Sequence, residues 1–361
     1  MLHSESAAMK SLPMSGLSRV SQKGLSLVEL MVAITLGLFL MAGIAQVYLS
    51  SKQSFRVQDA LSRIQENGRF AMDQISRDVR NAGYKGACVS KDDPVVNTLD
   101  TATAATANSA NFSMGIQGYE YASSTWSPVL DVAISGASPA PQAGSDILTV
   151  RGSVGGAVSV GTPYMGTTSA DIRANNARSL KQGQIIFICD GSAASIFQIT
   201  NANPTSGSVV HNTGNAVTPG NTTKNLGHPY GANSEMTVLS TSTYYLAPAL
   251  SGTGSAVWRL TDSNAPVELI DGVQDMQITY GVDSDADHTS NSYLTADAVS
   301  ALAKGWANVI SVRIILLLRS QDDSLAPKKT PYTYNGTTTT PADFRVRRVF
   351  TSTITLRNRN G

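Results

Sequence analysis

The pattern of apolar and polar residues changes sharply near the start of the chain. Residues 25–51 form an almost uninterrupted apolar run with one acid, Glu29, close to its beginning. About 20 apolar residues at a rise of about 1.5 Å each are enough for a helix to cross the hydrocarbon core of a membrane. A carboxylate costs about 2.5–3.5 kcal/mol at the centre of a bilayer and less near its interface, so we expect Glu29 to have a partner.

After Lys52 the uniform run gives way to an amphipathic pattern. Its apolar positions step by three, four or seven residues and are Val57, Leu61, Ile64, Ala71, Ile75 and Val79. No proline occurs in residues 14–93, so one helix can run from about 25 to 82 with one stripe facing a core. Gly83 is placed to end it, while Gly68 is a weak helical position that packing must offset.

Residues 85–361 contain short apolar runs that are β-branched or aromatic and bounded by turn formers, which predicts strands. The runs are 146–151, 185–189, 195–199, 243–246, 276–280, 309–318 and 349–356. The polar stretches 97–110 and 201–225 offer little to bury and predict loops or weak strands. A long helix packed on such a domain predicts an α+β fold.

Composition and charge exclude few classes of function. The chain has 361 residues, of which 42% are hydrophobic, so it can bury a substantial core even without the membrane-length segment. Its formal net charge is +1, which does not imply a polyelectrolyte partner for the whole chain.

The start of the apolar run carries a candidate processing site. Lys23-Gly24-Leu25, followed by Glu29, resembles the processing site of type IV prepilins and pseudopilins. The resemblance implies that a prepilin peptidase cuts between Gly24 and Leu25 and that Leu25 becomes an N-methylated first residue. It also implies that Glu29 neutralises an N-terminal amine, of its own or an adjacent subunit, during assembly. Leu25 stands where Phe or Met is more usual.

A second resemblance points to one family among the type IV pilins and pseudopilins. Residues 65–84 are similar to the corresponding stretch of PilW-type minor pilins, and the similarity returns at 268–275 and 347–359. The resemblance implies four parts, listed here in chain order: a prepilin leader (1–24), a transmembrane and filament-core half-helix (25–51), an amphipathic half-helix (52–84) and a β-rich periplasmic head (85–361). Met9 and Met14 are alternative starts of the leader.

The resemblance implies a structural and assembly role rather than an enzyme. We expect a minor pilin that sits in the inner membrane with a periplasmic head and enters the pilus tip or fimbrium. Expected partners are prepilin peptidase, other minor pilins, the major pilin, the inner-membrane assembly platform and inner-membrane lipid. A minor pseudopilin of a type II secretion system has the same N-terminus, and a tip-displayed adhesin or DNA-binding subunit is the alternative from another class.

Two other interpretations of the apolar run stay open. A cleaved secretory signal peptide also has a basic start and an apolar core, and Gly43-Ile44-Ala45 supplies a small-x-small cleavage pattern. Against it, the core is long for a signal peptide and contains Glu29. A plain signal anchor is the second alternative.

The chain has two cysteines, Cys88 and Cys189, both beyond the inferred membrane crossing. In an oxidising periplasm we expect them to form a disulfide, which would close a loop of about 100 residues and contribute up to about 4.7 kcal/mol. The alternative is two unpaired thiols, with Cys189 buried in its strand. Their spacing does not fit a zinc site.

Asp283, Asp285 and Asp287 alternate along a loop in the way that oxygen ligands for calcium do. His288 replaces the glycine of a calcium loop, and Leu294 stands where a bidentate Glu belongs, with Asp297 further on. Any calcium site would need other oxygens, such as Asn291. We therefore expect a solvated acidic turn and no cofactor.

Five arginines near the C-terminus form the remaining candidate site: Arg345, Arg347, Arg348, Arg357 and Arg359. Phosphate contact is one hypothesis. Arginines at strand ends more often protect a sheet edge, so nucleic-acid binding is not expected. The four histidines are scattered, and no nucleophile elbow, phosphate loop or histidine-based metal pattern occurs in the sequence.

Overall fold

The computed structural model describes residues 24–86, 95–101, 110–166, 169–203, 205–262 and 264–359. The chain divides into two compact units, Met1–Phe55 and Arg56–Gly361. This division falls inside the long helix, and the four-part organisation stays a prediction. Nearly all of the predicted leader lies outside the described residues.

Three α-helices, many strands and three short 3₁₀ turns make up the described chain. The helices are α1 (Leu27–Arg80), α2 (Val132–Ser135) and α3 (Ala296–Ser300), and the 3₁₀ turns are Ala177–Ser179, Gly305–Asn308 and Arg357–Arg359. The strands are β1 (Val95–Asn97), β2 (Ile116–Ala122), β3 (Thr125–Ser127), β4 (Ile147–Ser159), β5 (Asp171–Arg173), β6 (Ile185–Cys189), β7 (Ala194–Gln198), β8 (Asn201–Asn203), β9 (Ser208–Val210), β10 (Glu235–Pro248), β11 (Ser255–Thr261), β12 (Val267–Asp271), β13 (Val273–Val282), β14 (Ser292–Leu294), β15 (Val309–Arg319), β16 (Tyr332–Tyr334), β17 (Thr337–Thr339) and β18 (Arg347–Thr355).

The strands form two main sheets and two small ones. The nine-stranded sheet has the order β1-β7-β6-β10-β4-β2-β3, with β11 beside β10 and β12 beside β11. The four-stranded sheet has the order β14-β13-β15-β18, and the small sheets are β5-β9-β8 and β16-β17. The fold is therefore α+β, as the sequence predicts.

The largest core lies where the second half of α1 meets the two main sheets. The buried stripe of the helix consists of Ile64, Gly68, Ala71, Ile75, Ser76 and Val79. It shares one hydrophobic cluster with alternate residues of β15, including Val312, Ile314 and Leu316. The amphipathic pattern thus predicted the buried face correctly, because 3.6 residues per turn bring these positions to one side.

Gly68 is the point where the ring of Phe350 approaches the backbone of α1 closely. A Cβ built on Gly68 would lie 2.5 Å from the ring of Phe350 in β18. The glycine lets the aromatic ring pack directly on the helix backbone, and this contact offsets the low helix propensity of glycine.

Polar contacts tie the last turns of α1 to the nine-stranded sheet. The Tyr244 hydroxyl donates to Asp78 Oδ2 at 2.5 Å, and Arg259 Nη2 lies 3.0 Å from the same oxygen. After the helix, Gly83 has a φ of 76° and its amide donates to the Arg151 carbonyl at 2.8 Å. Gly83 therefore ends the helix region, as predicted, because a glycine adopts the left-handed conformation without strain.

The seven predicted runs each coincide with a strand, three of them extending one residue beyond it, while several strands had no such signal. The missed segments include β2, β11, β12 and the first half of β10, where Ser and Thr alternate with apolar residues. The polar stretch 201–225 contains the short strands β8 and β9, which agrees with loops and weak strands. Residues 102–109 of the other polar stretch lie outside the described residues.

Candidate functional site

The first turn of α1 holds Glu29 in a reciprocal pair of hydrogen bonds. The Glu29 amide donates to Ser26 Oγ at 3.1 Å, and the Ser26 amide donates to Glu29 Oε2 at 3.3 Å. Ser26 precedes the first helical residue, Leu27, so this arrangement is a capping box. The Ser-x-x-Glu spacing is its sequence signature, and the capping role of Ser26 is a feature that the sequence analysis missed.

The predicted cleavage site lies just before this cap. Gly24 and Leu25 are non-helical and exposed, and a Cβ built on Gly24 would have no neighbouring atom within 4 Å. The bond between the two residues is therefore open to a peptidase. Cleavage and N-methylation at Leu25 stay predictions.

The apolar side chains that follow are uncovered within the described structure. Leu25 is 75% exposed and Phe39 is 79% exposed, and similar values continue to Phe55. Among the described residues, α1 is long and apolar enough to cross a membrane, and its most apolar stretch is not buried. Such a surface needs lipid or other apolar helices to cover it.

Cys189 ends β6, is fully buried, and is disulfide-bonded rather than a free thiol. Cys88 is the other cysteine of the chain and lies outside the described residues. Gly86, two residues before Cys88, comes close, because a Cβ built on it would lie 3.7 Å from Cys189 Sγ.

The three aspartates of the acidic loop lie close together between β13 and β14. Ligand oxygens of Asp283, Asp285 and Asp287 all lie within 4.8 Å of one another. Asp285 and Asp287 are exposed, but Asp283 is only 8% exposed, so the prediction of a solvated turn fits two of the three. His288 has a φ of 65°, so the backbone adopts the left-handed conformation without the expected glycine.

Internal hydrogen bonds already use several of the oxygens in this loop. Asp283 Oδ1 accepts from the Ala286 amide at 2.7 Å, and Asp283 Oδ2 accepts from the His288 amide at 3.0 Å. Burial acts against the charged form, yet these backbone hydrogen bonds outweigh it and lower the pKa of the Asp283 carboxyl. Asn291 Oδ1 accepts from the Ser284 amide at 2.7 Å, so this candidate oxygen is also engaged.

Two of the five C-terminal arginines pair with the same aspartate, Asp343, inside the head. Arg347 makes a bidentate contact with Asp343, with distances of 2.6 and 2.8 Å. That hydrogen bonding lowers the pKa of Asp343 to about 2. Arg345 donates to the Ser320 carbonyl at 2.7 Å and lies 3.7 Å from Asp343. These arginines hold the segment before β18 and are not displayed for a polyanion.

Two further arginines of the group are exposed at the two ends of β18. Arg348 lies near its start and Arg357 just after its end. The side chain of Arg359 lies outside the described structure. The four arginines whose side chains the structure describes therefore divide between internal pairing and exposed positions. β18 is an edge strand of its sheet, where charged residues discourage unwanted pairing.

The histidines do not build a catalytic arrangement within the described chain. His228 Nε2 lies 2.6 Å from Asp190 Oδ2, and Ser192 donates to the other oxygen of the same aspartate at 2.8 Å. In a catalytic triad the serine hydroxyl donates its hydrogen bond to the histidine, whereas the Ser192 hydroxyl donates to Asp190. This geometry therefore does not activate Ser192 as a nucleophile. His211 is buried, and burial lowers its pKa to about 4.

Two family models match the chain. The model of the prokaryotic N-terminal methylation motif matches residues 19–45, which include Gly24, Leu25 and Glu29. The model of type IV pilus-assembly protein W matches residues 237–358. The resemblance to PilW-type pilins is confirmed. No curated protein and no solved structure matches the chain.

The PilW match begins within β10 and continues to the residues just after β18. It therefore contains the whole four-stranded sheet that packs on α1, as well as the acidic loop and all but the last of the C-terminal arginines. The stretch 65–84, which also resembles PilW-type pilins, lies outside both matches. Both matched families are structural components of pili rather than enzymes, and the two matches support a pilin-like role in pilus assembly.

Proposed function

We propose that the protein is a minor pilin of a type IV pilus, anchored in the inner membrane and part of the complex that primes pilus assembly at the tip. The observation that carries the proposal is the uncovered apolar half of α1 behind a methylation motif. A helix of this kind is suited to lie first in lipid and then among the helices of other pilins.

Processing by prepilin peptidase is the first step of the proposed function. The bond between Gly24 and Leu25 precedes the helix and is exposed, so the enzyme can reach it without unwinding α1. Cleavage leaves Leu25 as the N-terminal residue and keeps the Ser26 amide that bonds Glu29. The capping box therefore survives processing.

Glu29 is proposed to act twice. Within its own subunit Glu29 caps α1 through Ser26. After cleavage the amine of Leu25 is adjacent to Ser26, so the carboxylate can also neutralise this amine or that of a neighbouring subunit. A charge in an apolar segment is retained where it has such a partner.

The covalent link of Cys189 is proposed to be to Cys88. What supports this pairing is the bonded state of Cys189 and the closeness of Gly86 to its sulfur atom. The bond would tie the segment after α1 to strand β6. It also agrees with a head that lies in the oxidising periplasm.

The proposed partners follow from membrane anchoring and assembly. They are prepilin peptidase, other minor pilins, the major pilin, the assembly platform and lipid of the inner membrane. A tip-displayed DNA receptor gains little support, since Arg345 and Arg347 are paired internally with Asp343.

Gene deletion tests the proposal against its alternatives. We expect loss or strong reduction of surface pili, counted by electron microscopy, with protein secretion intact. Complementation with the wild-type gene should restore pili, and Gly24→Val should not. Gly156→Val is a matched control, because Gly156 is exposed in strand β4 of the head and a Cβ built on it meets no atom within 4 Å. Normal pili with lost secretion would indicate a pseudopilin, and normal pili with lost adherence or DNA uptake would indicate a surface receptor.

A further inference from the structure

Two arginines face each other at one end of the four-stranded sheet. In the antiparallel pair of β15 and β18, Arg319 is directly opposite Arg347, so their side chains leave the same face of the sheet. A third arginine is adjacent, because Arg345 Nη1 donates to the carbonyl of Ser320, the residue after Arg319, at 2.7 Å. Like charges on directly opposite residues repel, so this arrangement needs compensating anions.

Asp343 compensates two of the three arginines. Its two oxygens bind Arg347 at 2.6 and 2.8 Å, and Arg345 Nε lies 3.7 Å from Asp343 Oδ2. The Arg347 side chain is only 6% exposed, so this bidentate pair is largely buried. Both carboxylate oxygens of Asp343 are therefore occupied by Arg347.

Arg319 is left without a partner of its own. Within the residues that the structure describes, its guanidinium makes no hydrogen bond and no ion pair. Burial, and then the charges of Arg345 and Arg347, lower the pKa of Arg319, while the charge of Asp343 acts the other way. The second acid of this region, Asp323, is exposed and accepts two backbone hydrogen bonds. One positive charge in the group thus stays uncompensated by direct contact.

The Arg319 guanidinium lies at the edge of the head rather than in its core. The residue is partly buried, and its Nη2 lies under Gly254 of the hairpin between β10 and β11, where an added Cβ would be 3.2 Å away. Gly254 itself is exposed. The guanidinium therefore lies between this hairpin and the end of β15, where it is partly accessible.

One carboxylate fits this position better than a polyanion does. A guanidinium presents parallel donors that match the two oxygens of a carboxylate. A nucleic-acid backbone is bound by several cations along its length, whereas Arg345 and Arg347 are already paired with Asp343. We propose that Arg319 is a binding site for one carboxylate of a neighbouring pilus subunit, an assignment that rests on the proposed function for the identity of the partner. The bound carboxylate neutralises Arg319 and relieves its repulsion with Arg347.

The first test measures the site itself, with the full chain in detergent micelles. Melting temperatures are compared by circular dichroism in sodium acetate and in sodium chloride of equal ionic strength at neutral pH, because a ligand of the folded state raises the melting temperature. We expect a higher value in acetate for wild type and a smaller difference for Arg319→Gln. Arg348→Gln is the matched control, since Arg348 is an exposed arginine of β18, and it should keep the wild-type difference. Equal acetate effects in wild type and Arg319→Gln would overturn the proposal.

A second variant and a third salt sharpen this comparison. If Arg319→Gln does not fold, Arg319→Lys replaces it, because lysine keeps the charge and the aliphatic stem but lacks the planar fork of donors. Its acetate effect should shrink, and an unchanged effect would overturn the proposal. An Arg319-dependent rise in sodium phosphate without one in acetate would contradict a carboxylate site and indicate a nucleic-acid backbone.

The second test measures the contact with a neighbouring subunit, by immunoblots of sheared pili. We expect Arg319→Gln to enter pili severalfold less than Arg348→Gln, and Arg319→Glu less still, because its charge repels a carboxylate. Processing at Leu25 should be the same in all variants. Wild-type incorporation of Arg319→Glu would refute the partner. Absence of the wild-type protein from pili would instead contradict the proposed function, and the acetate comparison would still decide the site.

Discussion

Ser26 and Glu29 hydrogen-bond each other at the start of α1, each through its side chain to the other's backbone amide. Glu29 therefore has a partner inside its own chain, before any second subunit is present. A capping residue contributes about 0.5–2 kcal/mol to its helix. The acid thus stabilises the exposed helix end, and its proposed pairing with an amine is an additional role.

Glu29→Gln and Glu29→Ala separate these two roles. Glutamine keeps an acceptor for the Ser26 amide but removes the charge, whereas alanine removes both. We expect both variants to fractionate normally with membranes and to enter pili or the tip complex poorly, as measured by immunoblots of sheared pili. Incorporation of the glutamine variant at the wild-type level would refute charge pairing and leave only capping.

Gly68→Ala tests the contact between α1 and Phe350. An added Cβ would crowd the ring at 2.5 Å, and overpacking costs about 1–3 kcal/mol, against a gain of about 1 kcal/mol in helix propensity. We expect a net loss of about 1 kcal/mol in the free energy of unfolding, measured by urea titration of the full chain in micelles. In a Phe350→Leu background the same change should be neutral or stabilising. An equal loss in both backgrounds would contradict the packing explanation.

The disulfide prediction concerns Cys88 and Cys189. Non-reducing peptide mapping of the membrane-extracted protein should recover one linked peptide pair containing both residues. Reduction, or Cys189→Ser, should lower the free energy of unfolding by about 2–5 kcal/mol, the usual effect of losing a native disulfide in a small secreted domain. Free thiols in protein taken from the periplasmic side, or a link between two chains, would contradict the pairing.

Calcium is predicted to leave the stability of the head unchanged. Both oxygens of Asp283 accept backbone hydrogen bonds, and Asn291 Oδ1 is held by Ser284. A ligand that binds only the folded state raises the melting temperature according to its concentration over its dissociation constant. We expect equal melting temperatures with millimolar calcium and with chelator. A calcium-dependent rise that Asp285→Ala abolishes would establish a site.

The parts of the fold that the sequence predicts are those with a local physical signal. The buried stripe of α1 follows from apolar spacing, and β15, Val309–Arg319, follows from the predicted run 309–318. The first half of β10 lacks such a run because serines and threonines stand among its apolar residues and bond other polar groups of the fold. Ser240 Oγ, for example, donates to Asp262 Oδ2 at 3.0 Å.

The candidate sites also divide into those with a local sequence signal and those that only the folded chain brings together. The spacing of Gly24, Leu25 and Glu29 is a local sequence signal, and so is the Ser-x-x-Glu spacing of the capping box. The capping role of Ser26 was nevertheless not predicted. Arg319 and Arg347 are opposite each other only because β15 pairs with β18. Arg345 and Arg347 are close to Asp343 in sequence, but only the folded loop before β18 reveals that both arginines pair with it.

The most direct test of the pilin assignment is the N-terminal sequence and intact mass of the protein extracted from membranes. We predict a chain that begins at Leu25 with a methyl group on its amine, and an unprocessed chain when Gly24 is replaced by Val. The same result is expected in detergent extracts and in sheared pili. A chain that begins at Gln46 would indicate a secretory signal peptide, and an uncleaved chain in wild-type cells would indicate a signal anchor. Either result would contradict the proposed function.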